Sequence, residues 1–91
     1  MQEKPILPEV TFTTFIMSLN TSCLACLGDI PEPSSGETKR DLACAKHVID
    51  TLEMLKQKTE GNLDREEQEL LNHMLYDLKL RYVRAVKECA S

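Results

Sequence analysis

Tryptophan is absent from this 91-residue chain, and aromatic residues make up only 4% of it. Large aromatic anchors are therefore few, and a core of Leu, Ile, Met and Ala suits helix packing better than a β-sandwich. No proline follows Pro33, so no proline breaks a helix in the remaining two thirds. No charged residue occurs from Val10 to Gly28, yet Thr11, Thr13, Thr14, Ser18, Asn20, Thr21 and Ser22 interrupt that stretch, which excludes a continuous apolar membrane span. The first nine residues lack a basic start and carry Glu3, Lys4 and Glu9, unlike a secretory signal. Cys23-Leu24-Ala25-Cys26 has Cys23 where a lipoprotein cleavage site would carry Leu. The chain is thus expected in the cytoplasm with its cysteines reduced. A formal charge of −4 argues against a general nucleic-acid binder.

The stretch from Ile49 to Val86 reads as a helical hairpin bent at Gly61-Asn62-Leu63-Asp64. Gly61 supplies the left-handed residue that stops the first helix. Asp64 caps the second helix, and Glu67, three residues on, completes a capping box. The remaining chain divides into a tail over residues 1–10, containing Pro5 and Pro8, and a single helical domain over 11–91.

Periodicity predicts three antiparallel helices, at about 12–27, 42–59 and 65–88, giving an all-α fold. Thr11 and Asp41 are the expected N-caps of the first two, and Gly28 the stop of the first. Residues 29–39, DIPEPSSGETK, are turn chemistry and lack the Gly-Lys-Ser/Thr ending of a phosphate loop. The buried stripes are Phe12, Phe15, Ile16, Leu19, Cys23, Cys26 and Leu27; then Leu42, Ala45, Val48, Ile49, Leu52 and Leu55; then Leu71, Met74, Leu75, Leu78, Tyr82, Ala85 and Val86. The third helix is the longest, by about two turns, so its end should project beyond the bundle.

Several segments together resemble a bacterial domain-of-unknown-function family of short helical proteins. They are Thr14-Phe15-Ile16 with Ser18-Leu19, Leu27-Gly28, the loop closed by Gly36-Glu37, and Ala45-Lys46. Ile49-Asp50-Thr51-Leu52-Glu53-Met54-Leu55 and Lys58-Thr59 with Gly61-Asn62-Leu63 continue the pattern. Leu75-Tyr76-Asp77-Leu78 and Leu80-Arg81-Tyr82-Val83 close it. The resemblance covers nearly all of the chain after Val10. It implies a bacterial, cytoplasmic, helical protein, and it implies no activity, cofactor or site residue. The cysteines are not part of the family pattern.

Four residues have the spacing of a two-knuckle zinc site: Cys23-x-x-Cys26 and Cys44-x-x-His47. Against this, Cys23 and Cys26 fall on the buried stripe of the first helix, where cysteine serves as a small hydrophobe. Neither local pair closes a disulfide readily within a regular helix. A thioredoxin-like reading lacks its strand context. Lys79, Arg81, Arg84 and Lys87 form a basic cluster that would suit RNA. However, Asp77 and Glu88 lie four residues from Arg81 and Arg84, and cations near a helix C-terminus complement its dipole. Asp50 and Glu53 share a face without a third group converging on them, and His73 reads as an exposed helical residue. Tyr76 and Tyr82 read as interface and core residues, since no basic groove interleaves them. No active-site constellation is gathered, so an enzyme is not expected.

Two faces depart from the one-stripe rule. Met17 and Leu24 form a ridge outside the stripe of the first helix. Tyr76, Leu80 and Val83 form a second apolar row, opposite the main stripe of the third. The expectation is a non-enzymatic cytoplasmic structural or regulatory interaction module. It would self-associate through Met17, Leu24, Tyr76, Leu80 and Val83, as a homo-oligomer with a dimer favoured. An unidentified protein partner is compatible with this, and no membrane partner or cofactor is expected. The alternatives are a zinc-binding protein using Cys23, Cys26, Cys44 and His47, or an RNA-associated accessory protein.

Overall fold

Three helices account for the architecture in the computed structural model, which describes Leu7 and residues 9–90. They are α1 (Phe12–Leu27), α2 (Leu42–Lys58) and α3 (Arg65–Ala90), and each packs against the other two. Most of the tail expected over residues 1–10 lies outside the described residues; Leu7 and Val10 are exposed.

Each helix starts where its capping chemistry stands. The Thr11 hydroxyl accepts from the Thr14 backbone N–H at 3.0 Å, and the Thr14 side chain accepts from the Thr11 N–H. Asp41 accepts from the Cys44 N–H at 3.1 Å. The Asp64 carboxylate accepts from the Glu67 N–H at 2.8 Å, while Glu67 accepts from the Asp64 N–H at 3.0 Å. The box predicted at the elbow is therefore closed in both directions. Gly28 ends α1 at φ +79°, and Gly61 turns the elbow at φ +81°. The elbow begins two residues earlier than predicted, because α2 stops at Lys58 with Thr59 as its cap.

The core is built from Ile16, Cys23 and Leu27 of α1, Ala45, Val48, Ile49 and Leu52 of α2, and Leu71, Met74, Leu75, Leu78 and Ala85 of α3. Three positions depart from the predicted stripes. Phe15 is half-exposed, since it lies at the stripe's edge about 100° from Ile16. Val86 is exposed for the same reason, at the edge of the α3 stripe beyond Tyr82. Ala25 is buried instead, because the connection over residues 28–41 folds back across its side of α1 and brings Glu32, Pro33 and Lys39 near Ser22 and Ala25.

That connection also changes the expectation of a projecting α3. The Asp29 carboxylate receives Arg81 Nη1 at 2.9 Å, and Glu88 receives Arg40 Nη2 at 2.9 Å. Arg40 Nε donates to the Leu27 carbonyl at 3.1 Å, tying the same side chain to the end of α1. Ala85 is the last buried residue of α3, and residues 86–90 after it are exposed, with Glu88 tied back to Arg40.

Candidate self-association surface

Tyr76, Leu80 and Val83 share the side of α3 facing away from its core stripe. At about 100° per residue, with Leu78 at the middle of the core stripe, the three lie about 140° to 160° round the helix on one side or the other. Their relative exposures are 67%, 49% and 49%. An amphipathic helix in a lone bundle carries charge there. This one carries an apolar strip with Glu69 before it and Lys87 after it, both near the centre line of the same face.

The exposed apolar residues of α1 do not make a comparable strip. Met17 is 45% exposed, but it stands on one flank of the α1 core stripe while Phe15 stands on the other. Leu24, expected beside Met17 at the interface, is half-buried and packs against the core cluster. The α1 contribution reduces to isolated residues, and the continuous surface belongs to α3.

The four residues of the zinc pattern are not brought together. Cys26 and Cys44 are disulfide-bonded to each other, with Cα atoms 5.8 Å apart. This corrects the expectation of four reduced thiols. The bond joins one member of each spaced pair. It forms because the 28–41 connection returns the start of α2 to the end of α1, where the Asp41 N–H also donates to the Cys26 carbonyl at 2.7 Å. Cys23 is fully buried, and its Sγ lies 3.7 Å from the Ala45 carbonyl. Burial, reinforced by the negative charge of Asp29, pushes its thiol up to about 11, so it is a protonated core residue at neutral pH. His47 is exposed on α2. Among the described residues, no group of three or more His, Cys, Asp or Glu side chains is placed to hold a metal ion.

Of the charged residues singled out in the sequence, Arg81, Lys79 and Glu53 link one element to another. Arg81 donates to Asp77 at 2.8 Å as well as to Asp29. Lys79 pairs with Glu53 across the α2–α3 seam, and Lys46 pairs with Asp50 at 2.8 Å. Asp50 and Glu53 thus each face a lysine. His73 is exposed. In the long connection, Glu32 accepts from Ser34 and from Ser35, and these hydroxyls hold its carboxyl below the usual range. Arg40, which sequence reasoning passed over, is the residue that joins the loop, α1 and α3; a single arginine beside a turn carries no local signal of that role.

An open groove beside the disulfide is lined by Ser22, Cys26, Glu32, Lys39, Asp41 and Cys44. A second lies at the elbow, among Glu53, Lys56, Gln57, Glu60 and Gln68. The first also includes Ala25 and Pro33 and the second Leu63 and Leu71, so each mixes apolar floor with charged side chains, and neither gathers a set of convergent polar groups of the kind that orients a small molecule. Among the described residues, no helix is long and apolar enough to cross a membrane.

Residues 9–84 match a family described as a domain of unknown function, DUF1844. That span includes α1, α2, both connections and α3 as far as Arg84, with Tyr76, Leu80 and Val83 inside it. No curated protein and no solved structure matches the chain.

Proposed function

We propose, for a chain that belongs to the DUF1844 family of domains of unknown function, a role as a non-enzymatic interaction module that works as a homo-oligomer, a dimer by preference. The observation that carries this is the exposed strip Tyr76, Leu80 and Val83 on the far side of α3. Small helical domains have little core to spare, and association is a common way to bury more. Completing the burial of these three side chains would add part of the roughly 1.5–3 kcal/mol that each contributes when fully covered. A second copy offers the same strip, and closed twofold pairing is the commonest way for one surface to cover itself.

Light scattering over a concentration series tests the reading. The expected result is a dimer for the parent chain at high micromolar concentration, and a well-folded monomer for Leu80→Glu. A parent that stays monomeric throughout, with unchanged helical content, overturns it. A cytoplasmic setting belongs to the same reading, and Cys26 and Cys44 report on it. Rapid thiol trapping in cells should find them as thiols in a reducing compartment and joined in an oxidising one.

A further inference from the structure

We infer that two copies pair through α3 in an antiparallel register in which Tyr76 of one chain faces Leu80 of the other, and Glu69 of one faces Lys87 of the other. The inference rests on the self-association proposed above, and it adds the orientation and the register.

The argument is the symmetry of the strip about residue 78. Leu78 is fully buried at the middle of the core stripe, so the opposite side of α3 at that level is the centre of the exposed face. Tyr76 and Leu80 stand two residues either side of it, displaced from the centre line by about 20° in opposite senses. Glu69 and Lys87 stand nine residues either side, both on the centre line at 100° per residue. His73 and Val83 stand five residues either side, again displaced in opposite senses. A twofold axis through that centre therefore sets Tyr76 against Leu80 at the middle and Val83 against His73 just beyond them. It brings acidic against basic at both ends.

A parallel pairing does the opposite. It sets Glu69 against the second copy's Glu69 and Lys87 against its Lys87, and like charges facing each other oppose association. The charge order along the face thus selects the antiparallel arrangement. In the free chain Glu69 already accepts from Arg65 Nε at 3.0 Å, but Arg65 is itself highly exposed, and a carboxylate has room for a second cation. The strip is about 27 Å long between Glu69 and Lys87 at 1.5 Å per residue. A single helix face of that length belongs to the small end of specific interfaces, which points to weak, exchanging dimers.

Site-directed cross-linking tests the register without depending on affinity. The experiment uses the full chain with Cys89→Ser, leaving the buried Cys23 and the Cys26–Cys44 pair in place. Glu69→Cys and Lys87→Cys are made separately, and each is treated with a short bismaleimide alone and after mixing. Both positions are exposed, so neither variant should disturb folding. The expected result is a covalent dimer from the mixture and little from either variant alone, because copies of the same position lie about 27 Å apart in the antiparallel pair. Cross-linking of each variant with itself overturns the register in favour of a parallel one. No cross-link in any sample, with a dimeric parent by light scattering, places the interface elsewhere and also overturns it. A monomeric parent by light scattering removes the self-association on which the register rests.

Discussion

Between α2 and α3 the chain turns in six residues, and the groups that fix the turn lie inside it or one turn away: Gly61 at positive φ, and the reciprocal Asp64 and Glu67 caps. Between α1 and α2 it takes fourteen residues. What fixes this longer path is remote in sequence. Cys26 bonds to Cys44, Asp29 reaches Arg81, and Arg40 reaches both Leu27 and Glu88. The elbow is a local structure that would form with much the same geometry wherever two helices met. The long connection has a local turn of its own around Glu32, but its placement against the bundle is tertiary and depends on α1 and α3 to receive it.

The largest way to test that difference is to cut the Cys26–Cys44 bond. In the loop-entropy account, opening a ring of this size costs about 3 kcal/mol. Cys26→Ser with Cys44→Ser should therefore lower the melting temperature strongly, and a reducing agent should do the same to the parent but not to the double variant. The helical signal of α2 and α3 should outlast that of α1 in native-state hydrogen exchange. Equal loss of protection in all three helices would show that the elbow depends on the long connection as well.

Cys23 sharpens the comparison through pH. It sits one turn before Cys26 in the part of α1 that the long connection covers, with its thiol raised from an ordinary value of 9.0 to about 11. The native state therefore keeps the proton over a range in which the unfolded chain has lost it. The stabilising contribution is fully present below pH 9, and it is lost as the pH rises through about 11. Two pH units correspond to a loss on the order of 2 kcal/mol. Denaturant titrations at pH 8 and pH 11 measure it, and Cys23→Ala should have a shallower dependence over that interval. An equal dependence in parent and variant would remove Cys23 as its origin.

At the elbow the expected costs are smaller and confined to one place. Gly61→Val forces a branched side chain into the left-handed region and should destabilise by roughly 1–2 kcal/mol. Asp64→Ala removes one cap hydrogen bond and should cost about 1 kcal/mol. Neither change should alter the reactivity of the Cys26–Cys44 pair toward a reducing agent, if the two connections are as independent as their contacts are.

The same contrast explains what was legible in the sequence. The caps Thr11, Asp41 and Asp64, the stop at Gly28, the left-handed turn at Gly61 and the α2 stripe are matters of residue type at fixed short spacing, and all are readable; the stop of α2 itself falls at Thr59, two residues before the glycine expected to make it. The α3 row was readable too, because its i, i+4, i+7 spacing needs no partner to define it. The disulfide was not. Considering cysteines within each spaced pair cannot reveal a bond between pairs, which requires the fold-back of a proline-rich loop. Arg40 was missed for the same reason, as its partners lie 13 and 48 residues away. Leu24 reads as a surface residue because its angle on α1 is outside the main stripe; in the fold it is half-buried against the core cluster.

The smallest effect should come from the ionic part of the clasp. Arg81 donates to Asp77 within α3 and to Asp29 at the end of α1, and all three side chains are about one-third to one-half exposed. Exposed pairs contribute little, because water screens them and the side chains lose freedom in holding one geometry; about 0.5 kcal/mol is the order to expect. Arg81→Gln should therefore shift stability by roughly that amount, and the shift should shrink as salt rises. The Cys26–Cys44 contribution is covalent and should not respond to salt. A stability loss from Arg81→Gln comparable to that of the double cysteine variant, or one indifferent to ionic strength, would mean that the ion pairs rather than the disulfide hold the long connection against α3. The combined variant decides between the two. Additive losses indicate two independent fastenings, and a loss no larger than the disulfide's own indicates that the ion pair forms only after the disulfide has placed Asp29 beside α3.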